Sequence, residues 1–192
     1  TPPAITCPMA IYYHKPLRSI INFDILCFMT KKLKIGVALG SGGVRGLAHI
    51  GVLKALIESG ITPTIITGTS AGAVIGGLYC ALGNIKAVED IFANITRSEL
   101  LTMFSDITRG SGLIKGNNLE KFLDKYLADF KIENLKVKFA AVATNIHTAQ
   151  DVIFTSGSVT KAIRASSSLP AVFNPFETKD GSLVDGGISQ PV

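Results

Sequence analysis

The segment Gly68-Thr69-Ser70-Ala71-Gly72 sets a serine between two glycines, directly after the apolar pair Ile65-Ile66 and ahead of a stretch of small apolar residues. A serine on such a strand-to-helix turn takes up a strained backbone that lifts its hydroxyl clear of the sheet. The residues two before and two after then crowd each other, so Gly68 and Gly72 are needed there. The following helix aims its N-terminal N–H groups and dipole at the same point. The chemistry this favours is nucleophilic attack on an acyl carbon by Ser70. The pentapeptide alone is weak, because Gly, Ser, Thr and Ala fill ordinary loops and caps. Its place between an apolar strand and an apolar helix gives it weight.

A serine hydroxyl is a poor nucleophile until a base takes its proton. The histidines are His14, His49 and His147, and none follows Asp185. The order serine, acid, histidine of the α/β-hydrolases is therefore missing within these residues. His14 lies in an irregular N-terminal stretch, and His49 falls on the first helix, where packing or solvent is expected around it. Asp185 is the better candidate. It ends the short apolar run Leu183-Val184 and precedes Gly186-Gly187, so it can approach another loop at little steric cost. Partial burial would raise its pKa and strengthen it as a base. Asp-Gly is also a common turn pair, and only the two upstream segments lift Asp185 above that reading.

The third segment is Gly40-Ser41-Gly42-Gly43-Val44-Arg45-Gly46. Acyl transfer needs donors for the developing oxyanion, each contributing about 3–4 kcal/mol. Gly42 and Gly43, between a strand and a helix, can present backbone N–H groups with no side chain in the way. Arg45 either orders the loop by hydrogen bonding or meets a lipid phosphate. A dinucleotide-binding loop is the rival reading. It fails because Arg45 stands where the last glycine of that pattern belongs, and no acidic residue closes the strand near Thr67. The lysine-serine/threonine pair of a P-loop is missing too.

Elements must hold these segments in place. Ile35, Val37, Ala38 and Leu39 form a short buried strand ending at Gly40. Val44, Leu47, Ala48, Gly51, Val52, Ala55 and Leu56 recur at helical spacing, and Gly60 stops that helix. Pro63 precedes a strand at Ile65-Ile66-Thr67, completing a βαβ unit with a right-handed crossover and parallel neighbours. A helix over about 71–81 is built of Gly72, Ala73, Gly76 and Gly77, so its axis must lie close to the sheet. Residues 86–131 read as amphipathic helix with a break around Arg109 to Asn118. Phe139 to Thr144 and Val152 to Thr155 are strands, and Ser158 caps a short helix through Ala165. Leu183-Val184 is a last short strand.

Composition bounds the rest. At 192 residues, 47% hydrophobic and 17% charged, the chain suits one domain with a substantial core rather than a disordered or nucleic-acid-binding tail. The net charge of +5 is modest and reads first as an ordinary solvated surface; the sharper reading is weak attraction to anionic lipid surfaces, helped by Lys31, Lys32 and Lys34. No aromatic-interleaved basic stripe points to nucleic acid. Cys7, Cys27 and Cys80 form no CxxC pair, so neither zinc site nor disulfide framework is indicated, and a reducing, cytoplasmic setting is expected. No apolar run reaches the roughly 18 residues of a membrane span. Residues 1–28 lack periodicity and read as an extension outside the core, with Met29 opening the folded domain over 29–192.

Together the three segments, with Ala165-Ser166-Ser167-Ser168-Leu169-Pro170, make the chain resemble the patatin-like phospholipase family, of the bacterial type, from about Leu33 to Val192. The resemblance implies a three-layer α/β/α fold with a mostly parallel central sheet. It implies hydrolysis of lipid acyl esters by a Ser70–Asp185 dyad without metal or cofactor, and peripheral contact with a membrane surface. It assigns the oxyanion to Gly42 and Gly43 and the bracing of the loop to Arg45. Two departures stand out. Ser41 occupies a place where many members carry a third glycine, although bacterial members often look like this there. Members also usually continue well past the Asp-Gly-Gly turn, whereas this sequence runs seven residues beyond Asp185 to Val192, which points to truncation at the C-terminus. An acyltransferase using the same acyl-enzyme, or a lipid-binding protein without catalysis, would carry the same residues.

Overall fold

The computed structural model describes residues 34–109, 113–179 and 181–192. The expected extension over 1–28, the start at Met29, and Cys7, His14, Cys27, Lys31 and Lys32 lie outside the described residues.

The chain enters as β1 (Gly36–Leu39), passes a 3-10 turn (Gly43–Leu47) and continues as α1 (Ala48–Glu58). Next come β2 (Ile65–Thr69), α2 (Ala71–Leu82), α3 (Ile85–Ala93), α4 (Arg97–Met103) and α5 (Asn117–Leu127). The strands β3 (Lys138–Asn145) and β4 (Asp151–Phe154) lead to α6 (Val159–Ser166). Then β5 (Phe176–Thr178) and β6 (Gly181–Asp185) finish the sheet. The strand order is β1-β2-β3-β6-β5, with β4 also paired to β3. The β1–β2 and β2–β3 ladders are parallel; those involving β4, β5 and β6 are antiparallel. The result is an α/β fold whose central strands are parallel.

The register carries a consequence for the site. Ala141 pairs with both Gly68 and Phe154, and Ala143 pairs with both Asp185 and Val152. Since a strand has two edges, β2 and β6 share the edge of β3 that β4 leaves free. They run toward each other along it and meet where Thr69↔Val142 gives way to Asp185↔Ala143. Ser70 is the first residue beyond β2 at that junction.

The small-residue helix behaves as its composition demands. It packs on β2 and β3, and is buried nearly all round, from Gly72 through Cys80. A Cβ added at Gly76 would stand 2.8 Å from Ile66 Cγ2, and one at Gly77 would stand 2.7 Å from Ile163 Cδ1. Cys80 is a buried core residue whose thiol pKa is pushed up to about 12 by that burial. Ser158 caps α6 as expected, accepting from Lys161 N at 3.3 Å.

Three expectations are corrected. The first helix starts as a 3-10 turn and becomes α-helical only at Ala48, and most of the apolar row that marks it in the sequence faces outward. Val44, Leu47, Ala48, Gly51, Val52 and Ala55 are exposed, while Ile50 and Leu53 enter the core. Both rows are apolar at helical spacing, and packing against α2 and α3 picks the second. The interruption of the middle helices begins earlier than Arg109. Phe104 already lies beyond α4, and α5 resumes at Asn117. The strand β5 was not expected; its three residues are too few to show a period.

Candidate active site

Ser70 stands at φ 54°, ψ −120°, a left-handed backbone that a side chain rarely adopts. The flanking glycines explain how the turn closes. A Cβ on Gly68 would stand 2.6 Å from Ala73 N, and one on Gly72 would collide with the Leu39 carbonyl. The elbow therefore tolerates no side chain at either position. The Ser70 N–H donates to Ser166 Oγ at 2.9 Å, and the Ser166 hydroxyl donates to the Val142 carbonyl at 2.6 Å.

Asp185 arrives from the opposite direction at the end of β6 and is 3% exposed. Its carboxylate accepts from Gly187 N at 2.8 Å to Oδ1, and it lines the same cavity as Ser70, whose hydroxyl favours the charged form. Its main chain is held on both sides: its N–H donates to Ser168 O at 2.9 Å, and its carbonyl accepts from Thr144 Oγ1 at 3.2 Å. Burial pushes its carboxyl above the ordinary aspartate range, against the pull of the Ser70 and Gly187 hydrogen bonds. That is the condition of a carboxylate able to hold a proton.

The glycine loop lies beside this pair. Gly43, at φ 52°, lines the same cavity as Ser70 and Asp185, whereas Gly42 and Arg45 are not part of its lining. The first N–H groups of a helical turn have no partner within it and are free for an acceptor. Arg45 closes the loop with its main chain, its N–H donating to Gly42 O at 3.1 Å. Among the described residues its guanidinium makes no hydrogen bond and projects into solvent. His49, expected only to be packed or solvent-facing, puts its Nε2 2.8 Å from the Gly40 carbonyl and fastens the loop where it leaves β1. Ser41 N donates to Pro191 O at 2.8 Å, a second tether.

The cavity measures about 500 Å³. Its walls are aliphatic and aromatic, from Val74 and Ile75 on α2 to Phe92, Met103 and Phe122 on the next three helices. Ser70, Ser167 and Asp185 are the polar side chains of its lining, and Ser167 Oγ is buried without a hydrogen-bond partner. The mouth is apolar too: Val44 is 85% exposed, Leu47 41% and Phe104 42%. One wall is secured by Arg164, a buried side chain that sequence reading missed. Its guanidinium donates to Ser168 Oγ (2.6 Å), Lys115 O (2.6 Å) and Asn174 O (3.3 Å), and covers the Phe173 ring at 5.0 Å. Burial pulls its pKa down, opposed by Glu120 and Asp106. Among the described residues no cluster of His, Cys, Asp and Glu is placed to hold a metal, and no helix is long and apolar enough to cross a membrane.

Such an arrangement can attack an acyl carbon with a serine oxygen and accommodate a long apolar substituent beside it. Comparison with known proteins points the same way. The sequence profile of the patatin-like phospholipase family matches residues 37–192. An uncharacterized NTE family protein of Mycobacterium tuberculosis is 35% identical over 159 residues, covering 83% of this chain and 44% of that protein. Lysophospholipase NTE1 of Eremothecium gossypii is 34% identical over 184 residues, covering 91% of this chain and 12% of the fungal protein. The chain thus spans less than half the length of either relative. Among solved structures, VipD from Legionella pneumophila has a similar fold, with TM-score 0.57 at 17% identity over 86% of this chain and 52% of VipD.

Proposed function

The chain belongs to the patatin-like phospholipase family, and from that premise we propose that it hydrolyses lipid acyl esters through Ser70 and Asp185. The observation that carries this is a serine on a strained turn and a buried carboxylate brought together at the polar end of an apolar cavity. Asp185 takes the hydroxyl proton as Ser70 Oγ bonds to the ester carbonyl carbon. The charge that develops on the carbonyl oxygen is met by main-chain N–H groups of the loop, with Gly42 and Gly43 as the donors and the loop shape set by Arg45 N and His49. Collapse breaks the ester C–O bond, and the departing alkoxide takes the proton from Asp185. Water then attacks the acyl-enzyme, again losing a proton to Asp185, and Ser70 recovers that proton as the fatty acid leaves.

A cavity of about 500 Å³ walled almost wholly by hydrocarbon suits the chain of a lipid better than a short polar acyl group. The lysophospholipase name of the fungal relative makes single-chain lipids the first substrates to offer. The apolar mouth, with exposed Arg45 and Arg97 nearby in the chain, suits an anionic lipid surface. The glycine loop thus faces the substrate phase.

The test is hydrolysis of a p-nitrophenyl ester series and of lysophosphatidylcholine by wild type, Ser70→Ala and Asp185→Asn, with circular dichroism as the check on folding. Loss of roughly 10⁴-fold or more in kcat for Ser70→Ala and roughly 10³-fold or more for Asp185→Asn is expected in folded protein. Wild-type rates in either folded variant would remove that residue from the mechanism.

A further inference from the structure

We propose that Ser166 is a positioning residue for the nucleophile: its hydroxyl, spliced between the Ser70 amide and the Val142 carbonyl, holds the elbow in the backbone conformation that faces Ser70 toward Asp185. The catalytic part of this inference rests on the reading of Ser70 as nucleophile; the structural part does not.

The need for such a splice follows from the sheet. The β2 ladder stops at Thr69↔Val142 because the chain turns away at Ser70, and β6 stops on the other side at Asp185↔Ala143. Neither strand can continue past the junction. The Val142 carbonyl faces it at close quarters, since a Cβ on Gly186 would collide with that oxygen. The Ser70 N–H faces the same gap. One group that both accepts and donates closes it, and a serine hydroxyl is the smallest side chain with both functions. Ser166 Oγ accepts from Ser70 N at 2.9 Å and donates to Val142 O at 2.6 Å.

Its surroundings leave it no other task. Ser166 is fully buried and is not part of the cavity lining, so it does not reach substrate. It is the last residue of α6, a helix packed on β3 and α5, and is therefore carried by a rigid element. The same short run also fixes the second partner, because Ser168 O accepts the Asp185 N–H at 2.9 Å. Residues 166–168 thus tie the two chemical groups to one support, Ser166 on the nucleophile side and the Ser168 main chain on the carboxylate side.

Ser166→Ala removes both hydrogen bonds and leaves the cavity untouched. Thr160→Val is the control. Thr160 is a buried hydroxyl on the same helix with no hydrogen-bond partner, so its loss perturbs α6 without touching the elbow. Amide hydrogen exchange over residues 66–72 reads the lock directly and needs no activity. Exchange at the elbow is expected to be at least about tenfold faster in Ser166→Ala and unchanged in Thr160→Val, with α5 unaffected in both. In hydrolysis, kcat is expected to fall by about 10–100-fold with KM nearly unchanged, the cost of a displaced nucleophile beside an intact acyl site. Elbow exchange equal to wild type, or a fall in kcat no larger than that of Thr160→Val, would overturn the proposal. Should Ser166→Ala not fold, Ser166→Cys keeps the volume with a far weaker donor and acceptor, and the same exchange criterion applies. A wild type that hydrolyses no ester would sink the proposed reaction, while the exchange comparison would still decide the lock.

Discussion

The floor of the candidate site and its mouth are made by opposite means. At the floor, the turn from β2 into α2 admits no Cβ at Gly68 or Gly72, holds Ser70 at φ 54°, and satisfies its polar groups with named partners. At the mouth, Val44 stands largely in solvent, and Leu47 and Phe104 are each about two-fifths exposed. Tight packing permits one geometry and so can hold a strained side chain against a base. Loose apolar surface sets no angle, but it offers a greasy substrate a continuous path from outside to the serine.

The comparison breaks most readily at the floor. Gly72→Ala drives a methyl into the Leu39 carbonyl, and we expect a stability loss of about 3 kcal/mol or failure to fold, read by chemical denaturation. A variant as stable as wild type would show that the elbow has room to spare.

Asp185 tests what the floor costs. Its carboxyl is held above the ordinary range by burial, so the folded chain binds that proton more tightly than the unfolded chain does. Stability therefore declines as pH rises from about 3.9, the unfolded value, through the folded value, and the loss is complete above it. Asp185→Asn removes the ionisation and should melt several degrees higher than wild type near pH 7–8, with the gain vanishing below about pH 4. An unchanged or lower melting temperature at neutral pH would show that the hydrogen bonds to Ser70 and Gly187 outweigh burial. For the same reason the acid limb of kcat/KM in the wild type should lie above the ordinary carboxylate value.

The mouth should yield the smallest effect. Val44→Ser, at a site 85% exposed, is expected to shift stability by less than about 0.5 kcal/mol. It should weaken binding to phosphatidylglycerol vesicles a few-fold in sedimentation assays while leaving hydrolysis of soluble esters at the wild-type rate. A large loss of stability would mean that Val44 packs more than its exposure suggests.

The same division explains what sequence could reveal. The elbow was legible because steric exclusion writes itself as glycine at fixed spacing, and the small-residue helix was legible for the same reason. Asp185 was findable because its turn needs Gly186 and Gly187 beside it. The run Ala165 to Pro170 was legible as part of the resemblance, but the role of Ser166 within it was not, since its partner lies 96 positions away. Arg164 was hidden likewise, its partners being the carbonyls of Lys115 and Asn174. Which side of α1 faces inward was not legible, because two apolar rows share one helix and hydropathy carries no preference between them.

The head-on meeting of β2 and β6 on β3 also bears on synthesis. Ser70 is in place once β3 pairs with β2, but its carboxylate partner comes from residue 185, and that strand docks on β3 only after α6 has been made. A chain emerging from the ribosome N-terminus first would carry that elbow without Asp185 beside it while the 40 residues from Asn145 to Asp185 are made. On the proposed reading, Ser70 would thus stay without its base until β6 docks on β3.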